Sequence, residues 1–151
     1  MRRVLLGVGV LALLQGGLYL MWQARTVEET TFVSEPASGP APAVAPRDGV
    51  LHVWATWCAP CRDELPELLA AARAEGVPLV AVSLDQNPAA LAEFFGGDPP
   101  PEVIRDPSAA AAVGVEALPA TLRVANGAVV SRVQGARAWR SEAARAWLRG
   151  E

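Results

Sequence analysis

The pattern of apolar and polar positions predicts an alternation of strands and helices that begins near residue 49. Residues 49–55 form a short run of β-type residues that leads into two cysteines. In residues 59–75 apolar side chains recur at helical spacing, and Gly76 ends that predicted helix. Residues 78–84 are a continuous apolar run between turn residues, which is typical of a buried parallel strand.

The rest of the pattern predicts two helices, a hairpin and a closing helix. Helix signals cover residues 87–95 and, briefly, residues 108–113. Residues 120–133 are predicted to form two strands joined at Asn126-Gly127, a strong hairpin signal. Residues 138–149 are predicted to be helical, with these side chains facing inward: Trp139, Ala143, Ala146 and Trp147. This order predicts an α/β fold with a mixed central sheet flanked by helices.

A long uncharged run precedes this domain. Residues 4–22 carry no charge and follow Arg2 and Arg3. As a helix this run would span about 28 Å, close to the ~30 Å hydrocarbon core of a bilayer. We therefore predict a single transmembrane helix, with residues 1–25 as an uncleaved signal-anchor whose N-terminus stays in the cytoplasm. The alternative is a cleaved signal peptide, but Trp22 stands where a cleavage site after Ala24 needs a small side chain.

The segment between this anchor and the domain is rich in proline and alanine. Residues 26–47 show no clear period and contain Pro36, Pro40, Pro42 and Pro46. Such a composition favours an extended, semi-rigid chain. We predict a tether over residues 26–47 and a globular domain over residues 48–151.

The charge distribution gives no sign of a nucleic-acid partner. The chain of 151 residues has a formal net charge of −3, and all 13 of its basic residues are arginines. These arginines are scattered singly along the sequence. Because a nucleic-acid site needs a basic patch or stripe, we expect no nucleic-acid partner.

The two cysteines, Cys58 and Cys61, allow three interpretations. A structural disulfide closing so short a loop would contribute only roughly 2 kcal/mol, and small secreted domains usually need several such bridges. A structural zinc site needs four ligands, whereas the chain has one histidine, His52, and no second cysteine pair. A two-thiolate Cu(I) site stays open, since thiolates suit that ion.

A redox-active dithiol fits the position of the two cysteines best. The first sulfur would lie at the N-terminus of the helix predicted over residues 59–75, where free N–H groups and the helix dipole favour the thiolate. Pro60 suits the first helical turn. Cys61, one turn later, would be placed to attack a mixed disulfide. We expect the Cys58 sulfur to be open to solvent.

The segment VWATWCAPCRDELP, residues 53–66, resembles the active-site segment of the TlpA/ResA/CcmG-like membrane-anchored thiol–disulfide oxidoreductases. The resemblance implies a thioredoxin fold over most of residues 49–149. In such proteins a cis-proline faces the dithiol, and ALPAT, residues 117–121, matches that position. The resemblance thus predicts a cis Leu118–Pro119 bond. It also implies that Leu118, Pro119 and Trp57 contact the substrate, although simple core packing is an equal interpretation of Trp57.

The resemblance also implies roles for the residues around the dithiol. Cys58 matches the attacking cysteine and Cys61 the resolving one, while Pro66 matches a proline that kinks the active-site helix. Glu64 matches a carboxylate that family members use near the dithiol, which suggests proton transfer. The alternative for Glu64 is a favourable acidic residue in the first turns of a helix.

His52 departs from the family pattern, which typically has asparagine at this position. A buried core histidine is one interpretation. The other is that the imidazole accepts the proton of Cys61, because the ordinary pKa of histidine lies near neutral pH.

Together these features predict a membrane-tethered reductant of client proteins that contain disulfides. The resemblance implies clients such as apocytochrome c or copper-site assembly proteins, and a membrane thiol electron donor. We expect a monomer in the cytoplasmic (inner) membrane with its domain on the periplasmic side, and no cofactor or metal beyond a Cys58–Cys61 disulfide. The alternatives are a disulfide oxidase or isomerase, and a Cu(I)-binding thioredoxin-like module.

Overall fold

A six-stranded mixed sheet runs through the part of the chain that the computed structural model describes, residues 32–151. The strands are β1 (Glu35–Pro40), β2 (Gly49–Trp54), β3 (Leu79–Ser83), β4 (Val103–Arg105), β5 (Ala120–Ala125) and β6 (Ala128–Gln134). The helices are α1 (Ala59–Glu75), α2 (Ala89–Phe95), α3 (Ala109–Ala112) and α4 (Glu142–Arg149). The strand order across the sheet is β1-β6-β5-β2-β3-β4. The predicted mixed sheet with helices is confirmed.

Strand β2 lies inside the sheet and carries the chain into the cysteine pair. It pairs parallel with β3 and antiparallel with β5. All of its residues after Gly49 are buried, as expected for a strand covered on both faces. The register places His52 between Ala81 of β3 and Thr121 of β5. A polar side chain therefore sits in the middle of an apolar strand.

Helix α1 follows β2 directly and has the bounds predicted for it. Its buried face includes Leu65, Leu68 and Leu69, whose spacing follows the helical period. The helix ends at Gly76, which has a left-handed φ of 66° and donates its N–H to the last carbonyls, a common helix ending. Pro66 lies inside the helix, as the resemblance implied.

Two features of the C-terminal half differ from the prediction. Strand β4, Val103–Arg105, was not predicted, because three residues give too short a pattern to detect. Helix α4 begins at Glu142 rather than at residue 138, since Ser141 caps it by accepting the N–H of Ala144. The inward face of α4 also differs from the prediction: Ala144 and Leu148 are buried with Trp147, whereas Ala143 and Ala146 are only half-buried.

The tether predicted over residues 26–47 is wrong for its second half. Glu35–Pro40 forms β1, which pairs antiparallel with β6 at the edge of the sheet. Beyond it, Ala41, Val44 and Ala45 pack against the hydrophobic core. Proline is tolerated in an edge strand, so the proline-rich composition did not exclude a place in the sheet. The folded domain therefore begins before residue 48.

The predicted membrane anchor, residues 1–25, lies outside the described residues, as does the first part of the predicted tether. Within residues 32–151, none of the helices combines the length and the apolar character that crossing a bilayer requires.

Candidate active site

Cys58 and Cys61 form a disulfide at the start of α1. Their Cα atoms are 5.3 Å apart. Cys58 is the N-cap residue with an extended backbone, and Pro60 occupies the first turn of the helix. The strand-to-helix junction thus places the Cys58 sulfur at the helix N-terminus, where the local N–H groups favour a thiolate once the bond is reduced.

The two sulfur-bearing side chains differ in their access to solvent. Cys61 is fully buried, while Cys58 is 8% exposed and lines an open groove of about 470 Å³. We call it the active-site groove, and its lining includes Trp57, Cys58, Pro60, Leu84, Val115 and Leu118. The expectation of a freely exposed Cys58 sulfur is therefore corrected, since access to this side chain is through the groove. A reaction partner would meet Cys58 first, which suits the attacking role.

The loop before β5 also lines the groove. Leu118 and Cys58 line the same groove, and the Leu118–Pro119 peptide bond is cis, as predicted. The Pro119 carbonyl accepts hydrogen bonds from the Gly135 N–H at 2.8 Å and from Gln134 Nε2 at 3.0 Å. These bonds from β6 and its end hold the loop next to the dithiol.

Trp57 lies at the rim of the groove and is 68% exposed. Its interpretation as a core residue is therefore wrong. Trp54, by contrast, is fully buried and contacts the rings of Phe94 and Phe95. Exposure of a large aromatic ring beside a reactive pair is typical of a surface that meets a partner.

Glu64 lies in the second turn of α1 and is buried at 4% exposure. One oxygen, Oε2, accepts the backbone N–H of Arg137 at 2.7 Å and the indole N–H of Trp139 at 3.3 Å. Burial raises the pKa of this carboxyl to about 7, although these two hydrogen bonds act in the opposite direction. Glu64 lies one turn after Cys61 on the same buried face of α1. A carboxyl there with a pKa near neutral can exchange a proton at working pH.

His52 is fully buried, and the structure brings it to Glu64 and Thr121. Its Nδ1 is 2.9 Å from Thr121 Oγ1, and its Nε2 is 3.7 Å from Glu64 Oε1. Burial lowers the pKa of the imidazole to about 3, so the ring is neutral at physiological pH. The contact with Glu64 is therefore not an ion pair, and 3.7 Å is too long for a hydrogen bond.

Asp85 is a further site residue, which the sequence analysis missed. It lies just after β3, and its carboxylate accepts hydrogen bonds from the hydroxyls of Ser83 and Thr56 and from the Thr56 N–H. Burial raises the pKa of this carboxyl, but the hydrogen bonds lower it by more, so that the net shift is downward. Its position could have revealed it, because the carboxyl ends of parallel strands such as β2 and β3 share one edge of a sheet.

Among residues 32–151, His, Cys, Asp and Glu side chains form no group of three or more that could hold a metal ion. The two sulfurs that could bind Cu(I) are bonded to each other.

Two curated proteins of similar sequence share the name of one activity. The chain is 44% identical over 49 residues to the thiol-disulfide oxidoreductase ResA of Oceanobacillus iheyensis, a match covering 30% of this chain and 26% of that protein. It is 33% identical over 89 residues to ResA of Geobacillus thermodenitrificans, covering 55% of this chain and 51% of that protein. These matches span about half or less of the length of those two relatives. No protein-family model matches the chain.

A solved structure extends the likeness to the whole domain. The thiol:disulfide interchange protein named DsbE from Chlorobium tepidum superposes with a TM-score of 0.55 at 28% identity, over 72% of this chain and 87% of that chain. The fold is thioredoxin-like. The chain is thus similar in sequence to the two ResA proteins and in fold to the Chlorobium tepidum protein. The names of these three proteins describe thiol–disulfide chemistry, which agrees with the Cys58–Cys61 pair at the helix N-terminus.

Proposed function

We propose that this chain is a thiol–disulfide oxidoreductase that works through Cys58 and Cys61. The observation that carries the proposal is the Cys58–Cys61 disulfide at the start of α1, with Cys58 lining a groove that is also lined by Leu118, the residue before the cis-proline Pro119. A disulfide in the core would have no access to a second protein. Here the more exposed sulfur is also the one that the helix N-terminus activates.

The reaction is a two-step exchange between a dithiol and a disulfide. The reduced Cys58 thiolate attacks one sulfur of a client disulfide, forming a mixed disulfide and releasing the other client sulfur as a thiolate. Cys61 then gives up its proton to Glu64, attacks the Cys58 sulfur and forms the Cys58–Cys61 bond. The second client sulfur leaves as a thiolate, and solvent protonates both client thiolates. Two electrons thus pass to the client, and a thiol electron donor returns the enzyme to its reduced form.

The client segment would lie extended along the active-site groove. Leu118 offers an apolar side chain and the cis-proline loop offers backbone groups, while Trp57 covers the outer rim. Extended peptides bind such edges through backbone hydrogen bonds, with side chains in adjacent pockets. Site residues Cys58, Trp57 and Leu118 would then contact the client directly.

The proposed direction is reduction of the client. Asp63 is exposed in the first turns of α1 and carries a negative charge, whereas the buried Glu64, with a pKa of about 7, carries only part of one at neutral pH. Negative charge near Cys58 opposes the helix dipole and makes the thiolate less stable. A less stable thiolate is the property of a reductant, because strong oxidants owe their potential to a stabilised thiolate.

The proposed setting is the outer face of the cytoplasmic membrane. The uncharged run over residues 4–22, preceded by Arg2 and Arg3, supports an anchor that leaves the domain in the periplasm. The resemblance of the active-site segment supports clients such as apocytochrome c or copper-site assembly proteins, and a membrane thiol electron donor. We propose a monomer, since one active-site groove is built from one chain.

Three measurements on the full-length chain test this proposal. The wild type should reduce insulin with a thiol donor, and Cys58→Ser should abolish the activity. Cys61→Ser should accumulate mixed disulfides with clients in cells, because attack is retained and resolution is lost. Titration against glutathione should give a reducing potential. A potential near that of DsbA, about −120 mV, would support the oxidase or isomerase alternative. Stoichiometric copper without insulin reduction would support the Cu(I) module.

A further inference from the structure

Three buried side chains form a row between the cis-proline strand and the active-site helix. Thr121 of β5, His52 of β2 and Glu64 of α1 are 1%, 0% and 4% exposed. Thr121 Oγ1 contacts His52 Nδ1 at 2.9 Å, and His52 Nε2 faces Glu64 Oε1 at 3.7 Å. Among the described residues, Nε2 and Oε1 have no hydrogen-bond partner. Two buried polar atoms that face each other unpaired require an explanation.

The surroundings of Glu64 decide which oxygen holds its proton. Oε2 already accepts two N–H groups, from Arg137 and Trp139. When Glu64 is neutral, its proton must therefore lie on Oε1, which faces His52 Nε2. A neutral carboxyl can donate that proton only if Nε2 carries a lone pair. His52 must then hold its own proton on Nδ1 and donate it to the Thr121 hydroxyl.

The ionised form of Glu64 requires the opposite arrangement. A buried carboxylate at Oε1 needs a donor, and a neutral imidazole provides one when its proton is on Nε2. Nδ1 then accepts a hydrogen bond, which the Thr121 hydroxyl can donate, since a hydroxyl both donates and accepts. A shift of roughly 0.5 to 1 Å brings Nε2 and Oε1 within hydrogen-bond distance. Both states of Glu64 can thus be paired without placing a charge on the ring.

We propose that His52 is a positioning residue that changes tautomer as Glu64 gains or loses a proton, and so keeps this carboxyl ready to exchange a proton with Cys61. In the step from acid to carboxylate, one proton leaves the row for the Cys61 sulfur, or for solvent in a titration. The proton that stays on the ring moves from Nδ1 to Nε2. This proposal rests on the proposed function, because it assigns Glu64 a part in the exchange reaction.

The other charged and titratable groups around the row support this assignment. On α1, Cys61 lies one turn before Glu64, and Glu67 follows it. From the segment between β6 and α4, Arg137 faces Glu64 with its N–H and its charge. Strand β5 presents Thr121 and β3 presents Ala81 to His52. Among these groups, the titratable side chain that faces the His52 ring is therefore Glu64.

The test uses the fact that His52 is the only histidine of the chain. In the full-length oxidised protein, ¹⁵N NMR of the imidazole gives two ring signals that can belong to no other residue. Below the Glu64 pKa of about 7 we expect a protonated Nδ1 and a bare Nε2. Above that pH the two signals should exchange character, and the signature of the imidazolium should not appear in either range.

A ring that keeps one tautomer on both sides of this pH, or that becomes an imidazolium as Glu64 ionises, overturns the proposal. Glu64→Gln is the matched control, because the amide has similar shape and does not titrate. In this variant the tautomer exchange should disappear. If the variant does not fold, the wild-type titration alone still decides the question.

A kinetic measurement connects the row to the reaction. The resolving step can be followed by rapid quench as release of the second thiol from a preformed mixed disulfide. His52→Leu should move the apparent pKa of this step upward from about 7. A rise of about one unit lowers the ionised fraction of Glu64 at pH 7 from about a half to about a tenth, and so slows the step about fivefold. His52→Gln, which keeps a donor and an acceptor, should restore much of the rate. An unchanged pH profile in His52→Leu contradicts the proposal.

The NMR titration tests the tautomer change of His52, and the insulin assay tests the proposed function, so the two proposals can fail separately. If the wild-type protein shows the tautomer exchange but fails to reduce insulin, the tautomer change of His52 stands and the proposed oxidoreductase function is rejected. Insulin reduction with a fixed tautomer would do the reverse.

Discussion

Asp85 holds Thr56 through two hydrogen bonds, accepting the Thr56 N–H at 2.9 Å and its hydroxyl at 2.6 Å. Thr56 lies two residues before Cys58, in the turn that leads from β2 to α1. Asp85 is itself anchored by the hydroxyl of Ser83, the last residue of β3. The position of the active-site turn is therefore determined by the neighbouring parallel strand.

Replacing Asp85 should destabilise the domain and weaken the reaction together. Asp85→Ala leaves the half-buried donors of Thr56 and the buried hydroxyl of Ser83 without their acceptor, which costs about 1–3 kcal/mol. Urea unfolding of the oxidised protein measures this loss, and insulin reduction should fall as well because the turn that carries Cys58 is released. Asp106→Ala is the control, since Asp106 accepts a similar pair of bonds from Ser108 in a solvent-accessible position where water can replace them. Equal losses in the two variants would contradict the assignment.

Trp57 and Trp54 should separate binding from stability. Trp57→Ala removes an exposed ring, so the free energy of unfolding should change by no more than about 0.5 kcal/mol while the KM for a protein client rises. Trp54→Ala removes a fully buried ring from the cluster with Phe94 and Phe95, and should cost about 3–5 kcal/mol. Denaturant titration and client-reduction kinetics on both variants provide the comparison. A large loss of stability in Trp57→Ala would return this residue to the core.

Glu64 should make the folded state less stable as pH rises through the interval between about 4.5 and about 7. The folded protein keeps a proton up to a pKa of about 7, whereas the unfolded chain releases it near the ordinary glutamate pKa of 4.5. At this group the unfolded state thus binds fewer protons in this interval, and the contribution of Glu64 to stability falls with increasing pH by on the order of 3 kcal/mol in total. Glu64→Gln removes this dependence. The difference in the free energy of unfolding between the two oxidised proteins should therefore widen, to the disadvantage of the wild type, as pH increases across the interval.

His52 acts in the opposite direction. Its pKa is about 3 when folded and near 6.5 when unfolded, so the unfolded chain binds the extra proton and stability falls as pH decreases below 6.5. Between pH 4.5 and 6.5 the contributions of Glu64 and His52 to the pH dependence of stability offset each other. On unfolding in this range Glu64 releases a proton and His52 binds one, so the number of bound protons does not change. Glu64→Gln should uncover the histidine contribution as a loss of stability on acidification in this range. A variant as flat as the wild type there would show that His52 is not buried as a neutral ring.

Removing the segment before residue 48 should destabilise the domain. Starting the chain at Asp48 rather than at Phe32 deletes β1 and the apolar contacts of Ala41, Val44 and Ala45 with the core. The loss of this burial should cost at least about 2 kcal/mol. Comparing the urea midpoints of the two chains measures it. Identical midpoints would restore the interpretation of this segment as a tether.

Much of the fold could be predicted because local signals agreed with it. The leucine spacing and Gly76 defined α1 correctly, and Asn126-Gly127 placed the hairpin between β5 and β6. Other elements depend on contacts distant in sequence. Strand β1 exists only by pairing with β6, about a hundred residues later, and its prolines hide the alternation that identifies strands. Trp139 is buried although it precedes α4, which the helical period cannot distinguish from a position inside the helix.

The candidate site divides in the same way. Cys58, Cys61 and the cis-proline at Pro119 are visible in two short motifs. The meeting of His52 with Glu64 is not, because the two residues lie on a strand and a helix and only packing of α1 on the sheet brings them together. The same holds for Asp85 and Thr56, which are 29 residues apart. The motifs therefore predict the reacting cysteines, whereas the contacts of the residues around them depend on tertiary packing, which the sequence pattern does not show.

The proline-bearing strand β1 also bears on how copies of this protein behave at high concentration. Two of its six residues, Pro36 and Pro40, lack an amide hydrogen, and its pairing with β6 shifts register between Pro36 and Gly39. A flat edge strand with all of its N–H groups available can pair with a strand of a second molecule, which is the first step toward fibrillar aggregates. The edge strand β1 is irregular and lacks two of these N–H groups. The segment that completes the sheet thereby also discourages its extension by another molecule.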